Sequence, residues 1–157
     1  MKLLKKLRFF KPLEIEMLVY HFPNKEMEQI EVAVEGNTLE KKEDEFRIEI
    51  KGKLIHRSRV FHKSHLLTSF HFPKPFLVIG DCLTDPNYRG MGIYPRTIQY
   101  IATTYRLQKQ IFILVSKDNI SSIKGIEKAG FQFLVRLKGF RFLGFYLKKE
   151  ILCTKND

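Results

Sequence analysis

The chain has 157 residues, 44% of them hydrophobic and 29% charged, with a formal net charge of +11 and two cysteines. That length suits one domain, residues 1–157, able to bury about two thirds of its unfolded surface without disulfide or metal staples, and the composition is globular rather than disordered. No apolar run approaches the ~18 residues of a membrane span, and Cys82 and Cys153 are isolated, which argues against an integral membrane protein, collagen, a coiled coil and a cysteine-rich secreted scaffold, and for a cytoplasmic protein with reduced thiols.

The charge is unevenly placed. Residues 1–12 carry five bases and no acid, residues 13–50 eleven acids against four bases, residues 51–80 six bases and no acid, and residues 81–157 thirteen bases against six acids. A basic C-terminal two thirds suits an anionic ligand: a nucleic acid, a phosphorylated cofactor or an anionic membrane surface.

The N-terminus begins with the positive residues of a signal peptide, but Lys5, Lys6 and Arg8 interrupt its apolar stretch. Leu3, Leu7 and Phe10 share one face if residues 1–12 are helical. The segment reads either as a loose or docked terminus or as a membrane-surface contact. Strands follow. Ile30, Val32 and Val34 alternate with polar or small residues and end at a Gly36-Asn37 turn. Phe46, Ile48 and Ile50 alternate with Arg47, Glu49 and Lys51, and Gly52 turns the chain into a partner strand from Leu54 to Phe61. Phe76–Ile79 is a continuous apolar run, as expected of a strand covered on both faces.

The second half changes rhythm. Ile93–Leu107 reads as a helix, with Pro95 confined to its first turn. Ile111–Val115 is a buried strand, and Ser121–Ala129 a second helix closed by Gly130. Phe131–Leu137 and Phe142–Leu147 are two final strands, expected to pair. The order predicts an α/β (α+β) sheet with two helical crossovers.

Between the Phe76 strand and the Ile93 helix runs Ile79-Gly-Asp-Cys-Leu-Thr-Asp-Pro-Asn-Tyr-Arg-Gly-Met-Gly-Ile-Tyr-Pro95. A strand that turns through glycines directly into a helix makes an anion site, because the first helical N–H groups have no intrahelical partners and carry the positive end of the dipole. Gly90 and Gly92 keep side chains away from the approach, and Arg89 adds a donor fork suited to phosphate. The dinucleotide fingerprint is excluded because its third glycine falls on Pro95, and the P-loop because no Gly-Lys-Ser/Thr follows. A tight glycine turn without a ligand is the alternative.

The segment resembles motif A of the GCN5-related N-acetyltransferases (GNAT), Arg/Gln-x-x-Gly-x-Gly/Ala, with Tyr94 in place of the last small residue. Asn119-Ile-Ser-Ser-Ile-Lys-Gly-Ile-Glu-Lys-Ala-Gly-Phe131 is similar to the superfamily's second signature. The resemblance covers about residues 76–147. The wording around Gly80 and Tyr94 also looks like small bacterial acyltransferases associated with surface-polysaccharide sugars. The resemblance implies a mixed, mostly antiparallel sheet with a central splayed parallel pair and helices on both faces, and acetyl-CoA or another acyl-CoA as co-substrate without a metal. It implies cofactor contacts from Leu83, Thr84, Arg89, Gly90, Met91, Gly92, Ile93, Tyr94, Asn119 and Ser122, with the pyrophosphate on the N–H groups of residues 89–93. Asn119 would bond the pantetheine arm or fix the following loop.

The implied reaction is attack of an acceptor amine on a thioester, which calls for a proton acceptor, an oxyanion donor near Leu83 and a proton for the leaving thiolate. The superfamily's usual donor is a Tyr seven residues after the Asn, and that position is Ile126; Tyr88, Tyr94, a water or nothing takes its place. Asp81 shares a strand face with Leu77 and Ile79 by the period of two and is the first choice for base or ammonium anchor, unless it only braces the turn. Asp85 reads as a turn cap, and Cys82 as a small core residue rather than a nucleophile. His62, His65 and His71 line the acceptor site or are ordinary loop histidines; their spacing with His21 and His56 does not make a metal set.

Residues 13–60 lack the two helices that relatives place after the first strand, so the acceptor is not carried over. The leading expectation is an acyl-CoA-dependent N-acyltransferase acting on a small amine, an amino sugar on a nucleotide among the candidates, as monomer or homodimer and without nucleic acid. The other readings are a degenerate CoA-binding module without catalysis and a basic nucleic-acid-binding protein.

Overall fold

The structure, a computed structural model, describes residues 11–24 and 27–155. Residues 1–10, most of the basic segment expected to reach a membrane surface, lie outside the described residues. Among the described residues, ten strands and three helices run in the order β1 (Leu13–His21), β2 (Ala33–Val34), β3 (Asn37–Thr38), β4 (Glu40–Lys42), β5 (Glu45–Ile50), β6 (Lys53–Phe61), α1 (His65–Ser69), β7 (Phe76–Thr84), α2 (Ile93–Tyr105), β8 (Gln110–Val115), α3 (Ile120–Lys128), β9 (Gln132–Phe142) and β10 (Phe145–Leu152). A short 3-10 turn, Pro86–Tyr88, joins β7 to the glycine loop. Eight strands form one sheet in the order β10-β9-β1-β8-β7-β6-β5-β4, and β2 and β3 make a separate two-residue hairpin. All pairings are antiparallel except β7 with β8. The mixed, mostly antiparallel sheet with a central parallel pair is the predicted fold class.

Helices lie on both faces, as expected. On one face, Ile98, Ile101 and Ala102 of α2 and Ile123 and Ile126 of α3 pack on Leu18, Tyr20, Leu77, Ile79, Ile111 and Ile113. On the other, Leu67 of α1 and Phe70 just after it pack on Val19, Phe76, Val78, Phe112 and Leu137. Strands β7 and β8 therefore bury both sets of side chains, which is why they read as unbroken apolar runs. Burying each such side chain contributes about 1.5–3 kcal/mol, so this double layer fixes the register of the central pair. The hairpin turns carry left-handed residues: Lys51-Gly52 at β5–β6 and Leu143-Gly144 at β9–β10.

Several expectations are corrected. The first turn is Glu35-Gly36, not Gly36-Asn37, because both central residues take positive φ. The last two strands pair as expected, but β9 runs on to Phe142 and the turn comes later. β1, which the alternation did not reveal, sits between β8 and β9. It pairs Leu18–His21 with Val115–Phe112 on one side and Leu13–His21 with Arg141–Gln132 on the other. β10 pairs with β9 through a register shift between Leu147 and Glu150, and it forms one edge of the sheet. No helix among the described residues is long and apolar enough to cross a membrane.

Candidate functional site

The parallel pairing of β7 and β8 ends at the Ile79–Ile113 rung. Beyond it β8 continues against β1 while β7 continues against β6, so the two strands part. A bulge opens the split. Gly80 faces Arg59 and Leu83 faces Arg57, which leaves two residues of β7, Asp81 and Cys82, against Ser58 alone. Asp81 is the bulged residue, with φ 46°.

The bulge overturns the period-of-two placement of Asp81. Cys82, not Asp81, packs with the cluster of Leu77 and Ile79. The Asp81 carboxylate turns to the opposite face, where Arg57 donates to Oδ1 at 3.0 Å and Arg59 lies 3.1 Å from Oδ2. Its side chain is 40% exposed. Asp85 caps the 3-10 turn through the Asn87 N–H and pairs with Lys53 at 2.8 Å, which holds its carboxyl below the usual range. It is a turn cap, as expected.

A cavity of about 500 Å³ fills the split on the α2–α3 side. Of the ten residues expected to hold the cofactor, the structure brings Leu83, Thr84, Arg89, Gly90, Gly92, Ile93, Tyr94, Asn119 and Ser122 to its wall. Met91 faces an adjoining hollow with Gly90, Gly92 and Lys128. Tyr88 also lines the cavity, and desolvation, helped by the Glu35 carboxylate, keeps its phenol above the ordinary value. Arg89, Lys124 and Lys128 lie around it, and no Asp or Glu does.

The walls suit a phosphorylated ligand. Gly92 begins α2 at φ 74°, without a side-chain cap and with no acid in the first turn. Among the described residues, the N–H groups of residues 90–94 make no backbone hydrogen bond. A Cβ built on Gly90 or Gly92 meets no protein atom, so the space in front of these donors is open. The free run thus begins at Gly90 rather than at Arg89, whose own N–H reaches the Pro86 carbonyl at 3.4 Å. Arg89 Nε donates to the Thr84 carbonyl at 3.2 Å, tying the loop to the end of β7. At the other end, the Asp85 N–H donates to the Ile55 carbonyl. By the alternation of an antiparallel ladder, Leu83 also points its N–H toward β6, and the donors facing the split are those of Cys82 and Thr84 on either side of it.

Sequence reasoning missed two features. The first is a buried chain of polar side chains behind Thr84. His56 Nδ1 lies 2.8 Å from Thr84 Oγ1, His56 Nε2 2.9 Å from Ser58 Oγ, and Ser58 donates to Cys82 Sγ at 3.2 Å. A hydroxyl that donates to sulfur must accept from Nε2–H, so Nδ1 accepts from Thr84. Burial lowers the His56 pKa to about 4 and raises that of Cys82 to about 11. His56 is therefore a neutral holder of Thr84 and Cys82 a neutral thiol, in keeping with its expected role as a core residue. The β-strand spacing of His56 and Ser58 was the available signal, but their partners lie 24–28 residues away.

The second is Gly125. Tyr94 replaces the small residue of the motif, and its ring reaches α3 where a Cβ on Gly125 would lie 2.6 Å from Tyr94 Cδ1. The bulky residue on one helix is matched by a missing side chain on the other. Asn119 accepts from the Ser122 N–H at 3.2 Å and caps α3, so of its two expected roles the structure displays the loop-fixing one. Ile126 is fully buried and supplies no donor.

The histidines expected near the acceptor stand elsewhere. His62, His65 and His71 precede β7, at the end opposite the split. His62 bonds Asp44 and Lys109, and the His65 ring meets Tyr146.

The sequence matches no protein-family model and no curated protein. Among solved structures it is similar to a GNAT-family acetyltransferase from Colwellia psychrerythraea, with a TM-score of 0.60 at 16% identity over 87% of this chain and 59% of that one. It is also similar to a GNAT-family protein from Novosphingobium aromaticivorans, with a TM-score of 0.59 at 15% identity over 82% of this chain and 64% of that one. The chain thus spans about three fifths of the length of each.

Two outcomes follow from the missed features. Because the folded pKa of His56 lies below its unfolded value of 6.5, the unfolded chain binds the extra proton between about pH 6.5 and 4, and stability falls as pH falls through that window. The loss is about 3 kcal/mol at its fullest. Urea unfolding of wild type and His56→Gln across this range should show a gap that narrows on acidification; parallel curves would count against a buried neutral ring. Gly125→Ala gains ~1 kcal/mol of helix propensity but crowds Tyr94 at a cost of about 1–3 kcal/mol. It should lower the melting temperature, and Tyr94→Ala in the same chain should restore it.

The architecture, the splayed central pair and the similarity to both solved structures show that this chain has the fold of the GNAT-family acetyltransferases.

Proposed function

We propose that the chain is an acyl-CoA-dependent N-acyltransferase, transferring an acetyl or similar group to the primary amine of a small acceptor, an amino sugar carried on a nucleotide being one candidate. The observation that carries this reading is the cavity at the β7–β8 split. Its one end is a run of unpaired N–H groups at residues 90–94 flanked by Arg89, Lys124 and Lys128, and its other end is a strand edge without a partner strand. The first suits a pyrophosphate, and the second suits an extended chain bearing amides. A nucleotide or nucleic acid alone would leave the strand edge unused.

Acyl-CoA supplies the activated thioester. The residues of the chain bind, orient and polarise. Arg89 and the 90–94 donors hold the anionic end. The N–H groups of Cys82 and Thr84 are the donors available to a developing oxyanion, and His56 fixes the Thr84 hydroxyl beside them. Tyr88 retains its proton at neutral pH, donates it to the departing sulfur and regains one from water. Asp81, with both oxygens paired to guanidinium groups and its carboxylate on the face away from the cavity, braces the bulge rather than serving as base or ammonium anchor, and a water carries the acceptor's proton away.

Acetyl-CoA at a hundred times its dissociation constant should stabilise the fold by about 2.7 kcal/mol. Gly92→Val, which fills the space before the N–H run and forces a β-branched residue to positive φ, should abolish the shift. The absence of a shift in wild type at millimolar ligand would end the CoA reading. A shift without thiol release across a panel of amines would leave a binding module.

Asp81→Asn, which breaks the Arg57 and Arg59 ion pairs at the bulge, should lower the melting temperature and CoA affinity together. Wild-type values for both would mean that the carboxylate does not brace the bulge.

A further inference from the structure

The end of the sheet opposite the β7–β8 split holds a second cavity, of about 660 Å³. Small-molecule sites commonly enclose roughly 300–1,000 Å³. This one lies where Pro73 and Pro75 lead into β7, where Arg106–Lys109 leads into β8, and where β1 ends at His21. Both hydrophobic layers of the fold surface there. Phe22 belongs to the layer under α2 and α3, where it meets Phe131 edge-on at 5.0 Å. Phe72 and Phe112 belong to the layer under α1, with ring centroids 5.4 Å apart and planes at 90°. Leu107, 79% exposed, extends the apolar lining outward.

The polar groups of the wall lack protein partners. Among the described residues the Arg106 guanidinium has no acceptor, and its Nε is shut off from water without a hydrogen bond. The half-buried His21 ring likewise bonds no described residue. Burial holds its pKa below the ordinary value, so the ring is neutral at neutral pH and keeps one N–H to offer. Lys109 differs: its Nζ lies 2.8 Å from His62 Nδ1, and His62 Nε2 lies 2.9 Å from Asp44. No Asp or Glu among the described residues lines the cavity. A place at the C-terminal end of α2 favours a cation, but it leaves the covered Nε unexplained, and a buried donor without an acceptor is costly.

We propose that this cavity binds a small aromatic carboxylate, its ring among Phe22, Phe72 and Phe112 and its carboxylate on Arg106 and His21. Aromatic rings that present edges and faces suit a flat apolar body, and a guanidinium fork suits a carboxylate. One unanswered guanidinium matches a monoanion, whereas a nucleotide would bring two or more phosphate charges to it. The β8 residues that line the cavity, Gln110–Phe112, precede the Ile113 rung at which the split begins, so the two cavities lie at opposite ends of one strand. This site does not depend on the acyltransferase reading.

The chain has no Trp, so the fluorescence of indole-3-acetate reports its own binding. Titration against the full chain should give a saturable change and a raised melting temperature, and CoA should not displace the ligand. The neutral analogue indole-3-acetamide should bind roughly tenfold or more weakly. Arg106→Met, which keeps an apolar stem, should weaken the acid roughly 10–100-fold and leave the amide unchanged. Leu107→Glu should weaken the acid by like-charge repulsion at an unchanged melting temperature, which keeps the test informative if Arg106→Met fails to fold. No binding at millimolar indole-3-acetate would overturn the proposal. So would equal affinities for acid and amide, displacement by CoA, or binding of the acid untouched by both variants.

Discussion

The structure turns on one parting of the ways. After the Ile79–Ile113 rung, β7 and β8 each keep one neighbour and lose the other. Backbone N–H and C=O groups left without partners inside a protein cost several kcal/mol unless water or a ligand takes them. The split is sustained because β1 holds β8 on its far side, while the bulge at Asp81 bends β7 along β6. Arg57 and Arg59 pin the bulged residue by its carboxylate and compensate the strain of a left-handed, non-glycine backbone. The sheet is thus built to offer one strand edge in its middle, where an edge would ordinarily be paired.

What lies around that edge was legible in the sequence to the extent that it was local. The Arg89–Tyr94 loop, the α2 and α3 boundaries and the Asn119 cap are written in consecutive residues, and nine of ten expected cofactor residues reach one cavity. What escaped was either non-local or a break in period. A one-residue bulge reverses every side chain after it, so Asp81 and Cys82 exchange faces, and no local pattern announces the extra residue. His56 and Ser58 look like ordinary strand residues until β7 brings Thr84 and Cys82 against them. Gly125 has meaning only beside Tyr94. β1 mixes Glu14 and Glu16 with apolar residues and shows its central place only once β8 and β9 close on it.

The charge pattern resolves in the same way. The acidic block at residues 13–50 is answered in part: Glu45 meets Arg47 on its own strand and Arg59 on β6, Glu49 meets Arg47, and Glu16 meets Lys117, Arg136 and Lys138. Arg136 is almost wholly buried, so its pairing with Glu16 at 2.6 Å offsets a desolvation cost that a lone guanidinium could not bear. Among the remaining bases, Arg89, Lys124 and Lys128 line the cavity, and Arg141, Lys148 and Lys149 lie on the β9–β10 hairpin.

The register shift in β10 governs how copies of this chain can meet. An edge strand rich in Phe, Tyr and Leu would invite a neighbour to extend the sheet, with aggregation as the outcome. Lys148, at φ 47°, and Lys149 sit at the shift and interrupt the ladder midway along the edge. The opposite edge, β4, has only three residues, all exposed and two of them lysine. Neither border offers a long regular row of backbone donors and acceptors. A protein with 14 phenylalanines is in this way kept from polymerising through its sheet.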